Sequence, residues 1–187
     1  MKQLAQNGNK FQLNIISNFS PDKYASNTNK KDVELLKNQF HHLPDSIKIL
    51  GPMPNEKVLK LLKNSHVALL PTYADTYGYF VLEAQACGCP VISTDIRALP
   101  EINNNECGWI ISVPKDKNGN GILKTAKDRK IFSTIIEKKL YSIVNEIILK
   151  PENILPKAEA SIERIKKEHD PEKHANKLIN IYVTSRK

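Results

Sequence analysis

The sequence predicts an α/β fold, a Rossmann-like doubly wound parallel sheet followed by C-terminal helices. Short apolar runs alternate with amphipathic stretches through the first two-thirds of the chain. Some of these runs are continuously apolar, which is typical of parallel strands covered by helices on both faces. After Pro114, longer stretches with helical spacing replace the alternation. We therefore expect a single domain over 1–187, with an α/β core at 1–114 and a mainly helical part at 115–187.

Short apolar runs bounded by glycine, proline or polar residues predict five strands. The predicted strands lie at 11–17, 47–50, 67–70, 90–94 and 108–113. The run at 67–70 is continuous and ends at Pro71, so we expect this strand to be buried on both faces. The strand at 90–94 is also expected to be buried.

Apolar residues spaced three and four apart predict the helices. The expected helices lie at 31–43, 56–64, 80–86, 129–149, 157–168 and 171–182. Asp170 followed by Pro171 predicts the start of the last one, because an N-cap acid and a proline at the first helical position favour helix initiation.

The chain carries a net charge of +8 at pH 7, with its lysines spread from Lys2 to Lys187. No aromatic–basic RNA motif accompanies them, so we predict a lysine-rich solvated surface and no nucleic-acid partner. No apolar run approaches the ~20 residues that span a bilayer, and the first residues lack the apolar core of a signal peptide. These features predict a cytoplasmic location, with weak peripheral association at the inner membrane face left open.

The three cysteines, Cys87, Cys89 and Cys107, show neither the spacing of a zinc site nor an even number suited to a disulfide framework. We predict that Cys87 and Cys89 are small buried residues and that the protein binds no metal.

The loop and helix after the third predicted strand carry the residues best suited to ligand chemistry. Asp75 and Gly78 lie in the loop, and the helix that starts near Gly78 contains Glu83. The free N–H groups and dipole of a helix N-terminus suit a pyrophosphate. Carboxylates at these positions suit sugar and ribose hydroxyls. A solvated acid and an ordinary turn glycine are the competing interpretation of the same residues.

This segment resembles the donor-site signature of group 1 retaining glycosyltransferases, whose GT-B fold has two facing Rossmann-like domains. The signature has two acids separated by seven residues, a small-residue and proline turn, a strand, and a Pro-Glu pair. Asp75 and Glu83 have that separation, 84–92 matches the turn and strand, and Pro100-Glu101 matches the pair. The first acid is usually glutamate, so Asp75 is shorter by a methylene. The resemblance covers 11–113 and the closing helix near Tyr182.

The resemblance implies a role for each matching residue and a UDP- or GDP-linked sugar as the donor. The implied residues are Asp75, Tyr77 and Gly78 for the donor sugar, Gly78, Tyr79 and Phe80 for the phosphates, Glu83 for the ribose, and Gly51, Pro52 and Met53 beside the base. It implies no metal, no cofactor and no certain catalytic residue. The implied acceptor is a glycan, a polysaccharide or a lipid-linked sugar.

The resemblance also implies parts that this sequence lacks. The family supplies an arginine and a lysine from the first strand and first loop of this domain, and 1–7 resembles the helix that follows. Lys10, Lys23 and Arg97 are substitutes only by charge. The facing N-terminal domain that brings the acceptor is absent as well. We therefore expect little or no transfer by this chain alone, because the reacting groups are neither positioned nor shielded from water.

In the doubly wound order 3-2-1-4-5-6, the first strand lies in the middle of the sheet. Without it we expect an altered strand arrangement or a contact with another chain, including self-association. An ordinary intact sheet would contradict this expectation.

Two other functions remain open on the sequence: a non-catalytic nucleotide-sugar binding or interaction module, and a sugar-nucleotide epimerase-like domain. The spacing of Asp75 and Glu83 favours a transferase over an epimerase. The absent acceptor domain favours the binding module.

Overall fold

The computed structural model describes residues 2–185, with five strands and eight α-helices in that range. The strands are β1 (Leu13–Ile16), β2 (Ile47–Leu50), β3 (Ala68–Leu70), β4 (Val91–Thr94) and β5 (Gly108–Ile111). The helices are α1 (Lys2–Gln6), α2 (Lys30–Asn38), α3 (Asn55–Lys63), α4 (Tyr79–Ala86), α5 (Leu99–Ile102), α6 (Ala126–Leu149), α7 (Ile154–Glu168) and α8 (Pro171–Thr184). Short 3-10 turns follow α2 at Gln39–His42 and α6 at Pro151–Asn153.

The strands form two separate parallel sheets. One contains β1 and β2, with Leu13 opposite Ile47, and the other has the order β3-β4-β5. Placed side by side, β2-β1 and β3-β4-β5 reproduce the doubly wound order with its first strand absent. The expected departure from an intact sheet is therefore confirmed, and the division falls where the absent strand would lie.

Burial differs sharply between the strands of the larger sheet. All four residues of β4 are buried, as predicted, because the strand has neighbours on both edges. In β3, Ala68 is buried but Leu69 and Leu70 are only half-buried. The prediction that this strand is buried on both faces is thus wrong for its two leucines, since β3 is an edge strand.

Capping side chains mark the starts of α6 and α8, and apolar spacing alone misplaced the first of these. Helix α6 begins three residues before the predicted 129, because Asp128 N–H donates to Thr125 Oγ1 at 3.1 Å and Thr125 N–H donates to the Asp128 carboxylate at 2.8 Å. Helix α8 begins as predicted, with Asp170 Oδ1 accepting the N–H of Glu172 at 2.9 Å.

A buried polar network fixes α4 against β4. Gln85 Nε2 donates to Ile102 O at 2.9 Å and to Asn103 Oδ1 at 3.3 Å. Asn103 Nδ2 in turn donates to Val91 O at 3.0 Å and to Ser93 Oγ at 2.8 Å, both in β4. Both amide side chains are almost completely buried. Hydrogen bonds in such surroundings are stronger than in water, so they hold the helix that carries Glu83 in one position on the sheet.

Asp95, which directly follows β4, makes the stability of the folded chain depend on pH. Its burial opposes ionisation, but hydrogen bonds from the Lys115 ammonium (2.5 Å), the Val113 N–H and the Ser112 hydroxyl lower the pKa of Asp95 below its ordinary value. A lowered pKa in the folded state stabilises the fold above the ordinary pKa of aspartate, and this contribution disappears as the pH falls through the folded-state value.

We therefore expect Asp95→Asn to weaken the loss of stability on acidification below about pH 4. Urea unfolding at pH 7 and at lower pH would measure this, with an expected difference on the order of 1 kcal/mol. Asp45→Asn is the matched control, because that carboxylate is exposed and accepts no hydrogen bond within residues 2–185. Identical pH profiles for wild type and Asp95→Asn would contradict the expectation.

The last helix, α8, is the least covered element. Its exposed apolar side chains are Leu178, Ile179, Ile181, Tyr182 and Val183. None of the helices within residues 2–185 is long and apolar enough to cross a bilayer. Weak association with a membrane surface stays a prediction.

Candidate functional site

The loops that follow β3, β4 and β5 meet at the carboxyl-end edge of the three-stranded sheet. Thr94 Oγ1 donates to Thr72 O at 2.8 Å, which joins the loop after β3 to the end of β4. Arg97 Nε donates to Asn120 Oδ1 at 2.9 Å, which joins the loop after β4 to the loop after β5. Ligands of doubly wound folds bind at this edge, and the residues between 75 and 83 that were predicted to bind the donor lie there.

Asp75 leads the chain into α4. Its Oδ1 accepts the N–H of Tyr77 at 3.1 Å, a local bond that shapes the turn before the helix. The Tyr77 ring lies 5.2 Å from the ring of Tyr79, whose side chain is 72% exposed. One carboxylate oxygen of Asp75 is used by the turn, and the other makes no hydrogen bond within the described part of the chain.

Gly78 caps α4 in a left-handed conformation, with φ of +90°. A Cβ at this position would lie 2.5 Å from Leu99 Cδ2 and 2.9 Å from Ile102 Cδ1. The left-handed backbone and the packing of α5 together favour a glycine here, whether or not a ligand approaches the backbone. The predicted contacts of Gly78 with sugar and phosphate stay predictions.

The start of α4 presents unused hydrogen-bond donors. The backbone N–H groups of Tyr79 and Phe80 find no acceptor in residues 2–185, and Gly78 offers no capping side chain. Unpaired N–H groups at the positive end of a helix favour an anion. The phosphate-binding role of both residues stays a prediction.

A hydrogen bond joins Glu83 to α3, the helix that follows β2. Asn55 Nδ2 donates to Glu83 Oε1 at 2.7 Å, and Asn55 is the first residue of α3, directly after the turn that contains Gly51, Pro52 and Met53. The predicted ribose-binding acid and the predicted base-proximal turn are therefore neighbours in space. Asn55 was not predicted from the sequence, although its position just after the predicted base-proximal turn could have indicated that it lies near the site.

Arg97 connects three loops. Its Nη1 donates to Asp75 O at 3.3 Å, its Nη2 donates to Tyr24 OH at 2.5 Å, and its Nε reaches Asn120. The backbone of Arg97 is left-handed, with φ of +47°, a conformation that costs an ordinary residue free energy and tends to be kept at functional sites. The sequence singled out Arg97 only by its charge, whereas the structure places it directly against the Asp75 loop.

A shallow cavity adjoins Asp75 on the Arg97 side. It is lined by Tyr24, Tyr73, Ala74, Arg97, Asn120, Gly121, Leu123 and Lys124. The predicted donor residues at 75–83 do not line it. The other candidate cations, Lys10 and Lys23, make no ion pair or side-chain hydrogen bond among the described residues.

The cysteines are structural. Cys89 is buried, as predicted, whereas Cys87 is only half-buried, and Cys107 is buried as well. Burial raises the pKa of Cys89 to about 12 and also raises the pKa of Cys87, so neither thiol is activated as a nucleophile. Across residues 2–185, no group of three or more His, Cys, Asp or Glu side chains could hold a metal ion. That the protein needs no metal stays a prediction.

The family of the chain follows from its sequence. The family model described as "Glycosyl transferases group 1" matches residues 1–139. The chain belongs to the group 1 glycosyltransferases. The predicted resemblance is thereby confirmed, and the matched residues include the whole 71–90 segment on which it was based.

Relatives of this glycosyltransferase chain act on different molecules, according to their names. An N-acetyl-alpha-D-glucosaminyl L-malate synthase of Bacillus anthracis is 30% identical over 117 residues, covering 61% of this chain and 29% of that protein. A D-inositol 3-phosphate glycosyltransferase of Rhodococcus erythropolis is 29% identical over 80 residues, covering 42% of this chain and 18% of that protein. The chain therefore spans less than a third of the length of either relative.

Solved structures confirm the predicted fold class. A sucrose-phosphate synthase from Thermosynechococcus elongatus superposes with a TM-score of 0.59 at 19% identity, over 92% of this chain and 38% of that one. HepE of Anabaena in complex with UDP-glucose gives a TM-score of 0.58 at 15% identity, over 98% of this chain and 52% of that one. At these identities the likeness concerns the Rossmann-like α/β fold.

Proposed function

We propose that this glycosyltransferase chain is the nucleotide-sugar donor-binding domain of a retaining enzyme. The observation that carries the proposal is the 2.7 Å hydrogen bond from Asn55 to Glu83, which brings an acid suited to ribose next to the 51–53 turn. Asp75, seven residues before the acid, shapes the turn into the same helix. In this proposal, the N-terminal end of α4 faces the sugar and the diphosphate. The second turn of the helix, which carries Glu83, faces the nucleoside.

The diphosphate would be held by the backbone at the start of α4. The N–H groups of Tyr79 and Phe80 are unpaired in the described structure and lie at the positive end of the helix dipole. Charge that develops on the leaving diphosphate during transfer is stabilised by such fixed donors without a metal. In this proposal, the carboxylate oxygen of Asp75 that the turn leaves unused accepts a hydrogen bond from a sugar hydroxyl.

The donor in this proposal is a UDP- or GDP-linked sugar, and the acceptor is a glycan, a polysaccharide or a lipid-linked sugar. HepE, which shares the fold, was crystallised with UDP-glucose, and this supports a nucleotide sugar as the ligand class. Transfer requires a second domain that positions the acceptor and excludes water. The isolated chain is therefore expected to bind the donor with little or no turnover.

Glu83→Gln is expected to weaken UDP binding about tenfold, equivalent to about 1.4 kcal/mol, because a neutral amide replaces the charged acceptor for ribose hydroxyls. Isothermal titration calorimetry with UDP, GDP and their glucose conjugates measures the effect. Glu137→Gln is the matched control, since that glutamate is exposed on α6. The proposal fails if the wild-type chain binds none of these ligands, or if both variants bind equally well.

A further inference from the structure

The shallow cavity on the Arg97 side of the candidate site is lined by two cationic side chains and, among the described residues, by no carboxylate. Arg97 and Lys124 carry the charge, and Tyr24, Tyr73 and Asn120 contribute polar groups. The cavity volume of about 190 Å³ is the space of roughly six water molecules. Pockets that enclose a whole drug-sized ligand start at about 300 Å³. This cavity therefore suits one charged group and the part of a ligand next to it.

The positive charge of Arg97 is not neutralised by an ion pair in the described part of the chain. The three acceptors of its hydrogen bonds are neutral: the amide oxygen of Asn120, the backbone oxygen of Asp75 and the hydroxyl oxygen of Tyr24. The Arg97 side chain is half-buried, and a cation that is partly removed from water is usually paired with an anion. An anionic group in the cavity would supply that partner.

Arg97 and Tyr24 keep hydrogen-bond donors for such a group. A guanidinium has five N–H bonds, and Arg97 uses three of them, one each on Nε, Nη1 and Nη2. One N–H on each terminal nitrogen is thus left over. The hydroxyl of Tyr24 accepts a hydrogen bond from Arg97, so its own proton is available to donate. Guanidinium donors match the paired oxygens of phosphates and carboxylates.

Hydrogen bonds fix both sides of the cavity before any ligand binds. The N–H of Arg97 donates to Gly119 O at 2.9 Å, which ties the loop after β5 to the residue that carries the charge. Asp22 Oδ1 accepts the N–H groups of Tyr24 at 2.9 Å and of Ala25 at 3.1 Å, which shapes the loop after β1. Groups that are already held in position lose little freedom on binding, so more of the interaction energy appears as affinity.

Lys124 supplies the second positive charge at the edge of the cavity. Its side chain is exposed and makes no ion pair within residues 2–185. Hydrogen bonding from the N–H of Asn120, and to a smaller extent the charge of Lys124, lower the pKa of Asp116. Asp116 does not line the cavity, so the attraction that Lys124 exerts there is directed at a ligand. A flexible ammonium adds charge without fixing the geometry, which Arg97 provides.

We propose that this cavity binds a phosphate or carboxylate group of the acceptor, the second substrate of the transfer. This role rests on the proposed function and adds the chemical class of its acceptor. Arg97 Nη1 donates to the backbone oxygen of Asp75, so the bound anion would lie beside the residue assigned to the donor sugar. No residue of 75–83 lines the cavity, which therefore stays open when those residues hold the nucleotide sugar.

The test titrates glucose 6-phosphate into the isotope-labelled chain and follows the backbone amides by NMR, with and without saturating UDP. Saturating UDP keeps the phosphate away from the start of α4, so the remaining shifts report on the cavity. We expect the amides of Arg97, Asn120 and Gly121 to shift along one saturable curve, with a Kd on the order of 1 mM. Glucose is not expected to shift them, because it has no charge.

Variants that remove one positive charge each show where the phosphate binds. Arg97→Gln should weaken binding of glucose 6-phosphate at least about tenfold, because charged hydrogen bonds are lost. Lys124→Gln should weaken it about threefold, since an exposed charge contributes less. Lys138→Gln is the matched control, because it removes the same charge from an exposed lysine of α6 that does not line the cavity. Circular dichroism checks folding, and Lys124→Gln decides if Arg97→Gln does not fold.

The UDP titration separates failure of this inference from failure of the proposed function. A chain that binds UDP but not glucose 6-phosphate up to about 10 mM refutes the anion site alone. Equal weakening by Lys124→Gln and Lys138→Gln also refutes it, because the attraction would then come from the overall charge. A chain that binds glucose 6-phosphate through Arg97 but does not bind UDP refutes the proposed function, and the acceptor role with it.

Two further results would overturn the assignment to the acceptor. Competition between UDP and glucose 6-phosphate would mean that the phosphate occupies the diphosphate site. Tighter binding of UDP-glucuronic acid than of UDP-glucose, with the difference lost in Arg97→Gln, would mean that the anion belongs to the donor sugar. Equal affinities for these two donors, with glucose 6-phosphate bound at the same time as UDP, are the expected result.

Discussion

Gly78→Ala is expected to lower the free energy of unfolding by about 3 kcal/mol. The backbone of Gly78 has φ of +90°, which a residue with a Cβ adopts only with strain. The added Cβ would also lie 2.5 Å from Leu99 Cδ2 and 2.9 Å from Ile102 Cδ1, both on buried residues of α5. Relief of the clash requires the ends of these two buried side chains to leave their positions in the core, which adds a packing cost to the backbone strain. Urea unfolding measures the loss of stability.

Gly8→Ala is the matched control, because Gly8 has φ of +80° but nothing within 4 Å of an added Cβ. Its expected cost is about 1 kcal/mol, from the backbone conformation alone. The difference between the two variants isolates the packing against α5. Equal losses would show that α4 is not held against Leu99 and Ile102 as described.

Phe132→Ala is expected to cost about 4 kcal/mol, since it opens a cavity in the centre of the core. Phe132 is fully buried on α6, and its ring stacks on Tyr73 with 5.0 Å between the ring centroids. It also closely approaches Gly121, where an added Cβ would lie 2.9 Å from Phe132 Cε2. The same ring therefore supports the loop before Asp75 and the loop after β5, and its removal is expected to weaken nucleotide binding as well.

Ile131→Ala tests whether this effect depends on burial. Ile131 is the preceding residue of the same helix and is 45% exposed, so its truncation is expected to cost less than about 1 kcal/mol. Thermal unfolding followed by circular dichroism compares the two variants. A similar fall in melting temperature for both would mean that Phe132 does not occupy the core position described above.

Periodicity in the sequence was enough to predict the strands and most helices. Continuous apolar runs identified β3 and β4, and Asp170 with Pro171 identified the start of α8, because both signals are local. The half-buried state of Leu69 and Leu70 was not predictable in this way. It depends on whether a neighbouring strand is present, and an apolar run looks the same at the edge and in the centre of a sheet.

The candidate site shows the same division between local and long-range information. The turn into α4 follows from Asp75 and Gly78, which lie three residues apart. The bond between Asn55 and Glu83 joins residues 28 positions apart. The contacts of Arg97 need a left-handed backbone that its residue type disfavours, so tertiary structure alone supplies that signal.

The hydrogen bonds between Asn55 and Glu83 and between Tyr24 and Arg97 connect the two sheets across exposed surface. Leu62 of α3 is also buried in one core with Val81 and Ala84 of α4, so opening here exposes part of that core as well as breaking the two bonds, yet costs less free energy than global unfolding. A nucleotide held by both the 51–53 turn and Glu83 would bind only while the parts are closed. At about a hundred times its dissociation constant it would add about 2.7 kcal/mol to the free energy of opening. A bound nucleotide of this kind would therefore make these parts of the chain open less often to proteases.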